Sequence, residues 1–155
     1  GISHINSITY IEHNDNKVYY LRTCLKGYSL IDKRYLSNPP LLLGAISKAY
    51  NKLRELDLYI SDCPFINEES VEHNHIVHGD FCLPNIYMDD DNNFIGFIDV
   101  SSFGKGDKYL DLSWLLWSLS YNLNTENYNE DLLNLLDETY NKDKYYLYVE
   151  NEINE

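Results

Sequence analysis

Basic side chains are scarce in this chain. Lys and Arg number 12 against 25 Asp and Glu, a formal charge of −13. Such a balance repels phosphate backbones and anionic headgroups, so neither nucleic acid nor a membrane is expected as a partner. Cysteine is sparser still: Cys24, Cys63 and Cys82 are odd in number and far apart. That spacing gives neither a disulfide framework nor a zinc site and makes a reduced cytosol the expected setting. No apolar run approaches the roughly 18 residues that a membrane helix needs, and the first residues carry no basic-then-apolar leader. The expectation is a soluble, cytoplasmic protein. Repeats and flexible linkers are also missing, and 155 residues suit one ordinary domain with a sizeable core.

What is present is concentrated between residues 76 and 120. Asp80 and Asn85 stand at the two ends of a D-x-x-x-x-N loop, His78-Gly79-Asp80-Phe81-Cys82-Leu83-Pro84-Asn85, which has the spacing of a kinase catalytic loop. One short loop thereby supplies a carboxylate to orient a hydroxyl and an amide oxygen to hold a metal. Magnesium takes oxygen ligands and is normally held by one or two carboxylates plus nucleotide phosphates, so a second carboxylate is wanted nearby. Asp99 supplies it at the end of the apolar run 94–98, which reads as a short strand. Residues 85–88 read as its partner, and Asp89-Asp90-Asp91-Asn92-Asn93 as the turn, because Asx side chains bond their own backbone and tolerate left-handed geometry. The resulting hairpin puts Asn85 and Asp99 side by side at its open end. A calcium loop is the poorer reading of the turn, since Phe94 stands where the sharp-turn Gly belongs and Val100 where the bidentate Glu belongs. His78, with only His73 and His75 as neighbours of its kind, reads as a hydrogen-bonding brace and not a metal ligand. Cys82 reads as a packing residue.

These motifs, together with Gly96-Phe97-Ile98-Asp99 and the run Gly104-x-x-Asp107-Lys108-x-x-Asp111-Leu112, carry a family resemblance. The chain resembles the aminoglycoside phosphotransferases, especially those that modify the 3′-hydroxyl, within the protein-kinase-like superfamily. The resemblance is dense over 76–120 and weaker through 39–57 and Asp62-Cys63-Pro64. It implies an α+β, protein-kinase-like fold: residues 31–155 would be a mainly helical C-terminal lobe with a catalytic β-hairpin, and residues 1–30 a short β-hairpin remnant of the nucleotide lobe with its hinge. It implies Asp80 as catalytic carboxylate, Asn85 and Asp99 as Mg2+ ligands, and His78 and Asp111 as supports of the loop. ATP or GTP would be the phosphoryl donor and an aminoglycoside hydroxyl the acceptor.

Departures from the family pattern are equally visible. Ser102 and Trp117 stand where the family often has Arg. A phosphate-covering loop and a phosphate-gripping Lys have little room at the front, because the resemblance implies a two-lobed chain longer than 155 residues. By one alignment Arg22, Thr23, Cys24 and Leu25 belong to the hinge against which adenine rests. By a rival alignment Gly1-Ile2-Ser3 is the nucleotide loop and Arg22 replaces the Lys, imperfectly, since a guanidinium fork is not a point ammonium.

The remaining elements can be read from periodicity. Strands are expected over 7–12 and 17–25, joined by His13-Asn14-Asp15-Asn16. Asn38 caps a helix over 39–57 whose Leu42, Ile46, Ala49, Leu53 and Leu56 form one apolar face. Asp107 caps the next, in which Leu110, Trp114, Trp117 and Tyr121 are expected to form an aromatic core stripe; two last helices follow over 129–140 and 142–150. The acidic excess suits a small polycationic substrate. Glu150, Glu152 and Glu155, with Asp137 and Glu138, are candidates for the wall that receives its ammonium groups. Two alternatives stay open: a kinase for another small alcohol such as a macrolide, choline or homoserine, and a non-catalytic pseudo-kinase that binds a cationic ligand or a protein.

Overall fold

A computed structural model describes residues 8–14, 17–22, 24–56, 61–64 and 74–150. The first described elements are two antiparallel strands, β1 (Ile8–Asn14) and β2 (Lys17–Arg22), in register from Tyr10 opposite Leu21 to Asn14 opposite Lys17, with a shift before Ile8 opposite Arg22. Pairing thus continues to Asn14, and the connection is shorter than the expected turn over 13–16. Thr23 lies outside the described residues. A short strand β3 (Tyr28–Ser29) and a helical turn α1 (Lys33–Leu36), capped by the Asp32 carboxylate, lead into the long helix α2 (Pro39–Arg54).

α2 begins where the sequence says it should. The Asn38 side chain accepts the Leu41 N–H, and prolines occupy the first turn, where an amide hydrogen would have no partner. Its Leu42, Ile46, Ala49 and Leu53 are fully buried, while Leu56 is half-buried just past the helix. The catalytic segment follows: β4 (His75–Val77), a 3-10 turn (Leu83–Asn85), β5 (Ile86–Met88) and β6 (Phe94–Phe97). β5 sits between β3 and β6 in an antiparallel sheet, and β4 pairs with β7 (Gly104–Gly106), His75 opposite Gly106.

Helix α3 (Lys108–Leu123) starts at Asp107, whose Oδ1 accepts the Tyr109 N–H. The buried face of α3 is Leu112, Leu115, Leu116 and Leu119, packed with α2, with Phe81, Leu83, Ile86 and Phe97 of the catalytic segment, and with Leu132, Leu133 and Leu136 of α4 (Asn129–Leu136). The expected aromatic stripe is a correction. Leu110 is buried, but Trp114 and Trp117 are only half-buried and Tyr121 is 71% exposed. Two apolar faces compete on this helix, and the aliphatic one fills the core, because close packing favours the residues that join Phe81, Leu83, Ile86, Phe97 and the leucines of α4 in one cluster.

The C-terminal helices are also shorter than expected. α4 stops at Leu136, where Asp137 takes the left-handed conformation, and α5 (Lys142–Tyr145) widens into a π-helical turn, Tyr146–Glu150. That turn buries Tyr148 and Val149 against Val77, Leu110 and Cys63. Asp107 fastens it: its Oδ2 accepts the Tyr148 hydroxyl at 3.1 Å and pairs with Lys144 at 2.8 Å. No described helix is long and apolar enough to cross a membrane.

Gly104 shows how tightly this second cluster is closed. A Cβ there would lie 2.5 Å from the Cys63 amide nitrogen, because segment 61–63 runs beside β7 and exchanges backbone hydrogen bonds with Lys105. Gly104→Ala is therefore expected to destabilise the fold by about 1–3 kcal/mol, as overpacking typically does. Urea unfolding of the variant and the parent chain measures it.

Candidate active site

The site starts from a carboxylate with no access to water. Asp111, on the first turn of α3, is 0% exposed. Its Oδ2 accepts the His78 N–H at 2.9 Å and its Oδ1 the Gly79 N–H at 3.0 Å. Arg54, the last residue of α2, approaches Oδ2 at 3.5 Å, donates to the Ile76 carbonyl at 2.8 Å and lies over the Tyr50 ring at 4.7 Å. Burial pushes the Asp111 carboxyl up; Arg54, His78 and the two amides pull it back toward the charged form. A solvated surface role for Asp111 is thereby excluded, and it anchors the loop.

Held at two consecutive amides, the loop turns sharply. Gly79 has φ of +86°, and a Cβ there would lie 2.6 Å from the Ser102 Cβ. Only glycine meets both conditions. Ser102, in the place where the family often has Arg, is a buried contact surface for this turn. The His78 ring accepts the Asp80 N–H at Nδ1 (3.3 Å) and so presents its N–H at Nε2 to the Ile98 carbonyl, 3.0 Å away. Its ring packs edge-on against Phe81 and Phe97. The histidine is the expected brace, joining the loop to the strand that delivers Asp99.

Asp80 emerges half-buried from this frame. The Asn85 amide donates to the Asp80 backbone carbonyl at 3.0 Å and to its Oδ2 at 2.8 Å. Because those bonds use Nδ2, the Asn85 Oδ1 remains as a hard oxygen donor. The Ile98 N–H donates to the Asn85 carbonyl at 3.0 Å, so the open end of the β5–β6 hairpin is closed one residue before Asp99. Asp99 is exposed and left-handed, φ +56°, a conformation Asp tolerates better than most residues and one that concentrates at functional sites. Asp80 and Asp99 line one cleft of about 320 Å3 together with Gly79, Ser101, Ser102, Leu110 and Trp114. Among the described residues no cluster of three or more His, Cys, Asp or Glu side chains could hold a metal alone. The donors fit an ion that takes a carboxylate, an amide oxygen and external phosphate oxygens.

Other candidates fall elsewhere. The Asp89–Asn93 turn folds on itself, Asp89 accepting the Asp91 and Asn93 N–H groups. Cys82 is buried against the Trp114 carbonyl, and burial, reinforced by neighbouring Asp80, pushes its thiol up, away from a nucleophilic thiolate. Cys24 is exposed and Leu25 half-buried, Arg22 ends β2, and Glu150 ends the π-helical turn; Glu152 and Glu155 lie outside the described residues. Glu138 is not free to receive a substrate cation, since it accepts the Tyr50 hydroxyl at 2.7 Å and pairs with Lys108 at 2.5 Å.

Two residues escape a reading of the sequence. Arg54 reads in the sequence only as a polar position at a helix end. Trp114, expected in the core, is a wall of the cleft. Removing the Asp111 carboxylate leaves two buried N–H groups and a guanidinium uncompensated, so Asp111→Ala should cost about 3–5 kcal/mol. Asp80→Asn should cost less than about 1 kcal/mol; denaturant midpoints compare the two.

A profile of the phosphotransferase enzyme family matches residues 53–147. A probable aminoglycoside 3'-phosphotransferase of Lactococcus lactis is 27% identical over 164 aligned residues, which cover 79% of this chain and 61% of that protein. An aminoglycoside 3'-phosphotransferase of Niallia circulans is 36% identical over 75 residues, 45% of this chain and 28% of that protein. This chain therefore spans less than two thirds of the length of either relative. Among solved structures, the aminoglycoside phosphotransferase APH(3'')-Id of Streptomyces rimosus superposes with a TM-score of 0.68 at 18% identity, over 94% of this chain and 73% of that one. The type VIII aminoglycoside-3'-phosphotransferase gives 0.68 at 15% identity, over 93% and 71%. At such identities the likeness speaks for the α+β, protein-kinase-like fold. The profile covers more than half of the residues, from the end of α2 to the π-helical turn and including Asp80, Asn85 and Asp99, and the chain belongs to the phosphotransferase enzyme family.

Proposed function

We propose that this chain carries the catalytic and acceptor-binding lobe of a small-molecule kinase, which transfers the γ-phosphoryl of ATP or GTP to a hydroxyl of an aminoglycoside. The observation that carries the reading is the convergence of Asp80, Asn85 and Asp99: Asn85 bonds the Asp80 carboxylate at 2.8 Å, and Asp80 and Asp99 share one cleft. The Streptomyces rimosus relative has been solved with ADP and streptomycin, which supports a nucleotide and an aminoglycoside as the two substrates.

Each residue then has a defined task. Asp80 accepts the hydrogen bond of the acceptor hydroxyl and takes its proton as the oxygen bonds to phosphorus. Asn85 holds that carboxylate through Nδ2, so Asp80 meets the hydroxyl in one orientation. Asn85 Oδ1 and Asp99 are the groups that would hold Mg2+, which when bound neutralises charge on the nucleotide's phosphate oxygens. Gly79, Ser102 and Leu110 wall the cleft and limit water around the reacting oxygens.

Incubation of the chain with magnesium nucleotide and kanamycin, followed by mass spectrometry for a phosphorylated product, tests the assignment. Asp80→Ala is expected to lower the rate by about 100-fold or more with the fold retained, and unchanged turnover in that variant would sink the mechanism. Calorimetry should show Asp99→Asn binding magnesium nucleotide more weakly than the parent; equal affinities would remove Asp99 from the metal site. Binding of kanamycin without any nucleotide binding would instead favour the pseudo-kinase reading.

A further inference from the structure

The outward face of α3 carries the molecule's most unusual surface. Trp114 and Trp117 meet edge to face with centroids 5.6 Å apart, and Trp117 stacks on Tyr121 at 5.1 Å with planes inclined by 15°. Of the three rings only Tyr121 is exposed, at 71%; Trp114 and Trp117 are half-buried and pack in part against the cluster of Cys63, Val77, Leu110, Tyr148 and Val149. An exposed tyrosine stacked on a half-buried tryptophan leaves aromatic surface uncovered, as recognition surfaces do.

Two openings meet on this ladder. Trp114 lines the cleft of Asp80 and Asp99. Trp117 and Tyr121 line a second, shallow groove of about 360 Å3 with Asn124, Thr125, Glu126 and Tyr145. The two openings have different lining residues, and their walls adjoin where the Trp114 and Trp117 rings meet edge to face. From Trp114 to Tyr121 the ladder runs roughly 10 Å along the helix axis, the length of about two linked six-membered rings. Its polar lining is one carboxylate, an amide and hydroxyls, and no Lys or Arg lines it among the described residues.

We propose that Trp114, Trp117 and Tyr121 form a stacking platform for the acceptor, seating the face of a saturated, hydroxylated ring that bears ammonium groups, with Glu126 receiving one of those cations. The assignment rests on the cleft of Asp80 and Asp99 being the phosphoryl-transfer site, and it names how the acceptor is recognised beyond that cleft. A saturated ring offers its C–H face to an aromatic face at dispersion distance, and an ammonium on that ring adds the attraction of a cation for the ring quadrupole. Trp117, standing where the family often has Arg, replaces a charge that would repel a cationic acceptor with a face that attracts one.

The chain reports on this site by itself, because its two tryptophans are both on the platform. Titration of intrinsic fluorescence with kanamycin, without nucleotide, is expected to give a saturable change. A linear polyamine such as spermine, or an uncharged cyclitol such as inositol, should not reproduce it. Tyr121→Ala and Trp117→Ala should each weaken kanamycin binding about tenfold by calorimetry, and Trp117→Phe should restore it to within about threefold. In turnover the loss should fall on KM and leave kcat nearly unchanged. Tyr121 is too exposed for its truncation to unfold the chain, so unchanged kanamycin affinity in Tyr121→Ala and Trp117→Ala overturns the platform. Equal response to spermine, or no kanamycin binding by the parent chain, overturns it too. Turnover with unaltered KM in both variants would discard the platform and keep the kinase; ring-dependent binding without phosphorylated product would keep the platform and discard the kinase.

Discussion

One buried carboxylate sets the position of everything chemical in this molecule. The two oxygens of Asp111 accept consecutive backbone N–H groups, those of His78 and Gly79, at 2.9 and 3.0 Å. Two bonds to adjacent peptides fix both position and direction, which a single bond would not. Asp80 follows immediately, and its placement is inherited from α3. The arrangement carries a desolvation cost for Asp111 and for Arg54, whose Nε and Nη2 are buried without a hydrogen-bond partner. The Tyr50 face and the Asp111 charge offset part of that cost.

The scarcity of positive charge acquires a structural meaning in this light. Arg54 is enclosed beneath the catalytic loop, Arg34 lies over Tyr28 and reaches the tip of the β5–β6 hairpin, and Lys108 and Lys144 pair with Glu138 and Asp107. The basic residues of the helical lobe work largely as internal ties. Each of the three ion pairs withdraws one acid with its base, so the acidic excess of the composition remains on the outside.

Much of this was legible in the sequence wherever a local rule and a global one agreed. The Asn38 cap and the α2 stripe needed only periodicity, and the hairpin needed only its Asx-rich turn and two apolar runs. Asp80, Asn85 and Asp99 could be picked out because the chemistry proposed for them depends on spacing within one loop and one hairpin. Reading failed where long-range packing decided. On α3 two apolar faces competed, and nothing local says that Leu112, Leu115 and Leu119 enter the main core while Trp117 is half-buried and Tyr121 remains outside. Asp111 was equally ambiguous, since its partners arrive from residues 54, 78 and 79. The π-helical end of the chain arises from the tie of Tyr148 and Lys144 to Asp107, a contact no helix propensity encodes.

The division of α3 into two sides has a consequence for how such a protein can change. Asp111 and the leucines face inward and hold the loop; Trp114 lines the cleft of Asp80 and Asp99, Trp117 is half-buried beside it, and Tyr121 faces solvent. Mutational drift on the outer side leaves the inner register untouched, because helix geometry keeps residues 117 and 121 out of contact with the loop amides that Asp111 grips. One rigid rod thus separates the side that grips the loop from the side that meets solvent, so residues at the outer end can be exchanged while the geometry around Asp80 stays still.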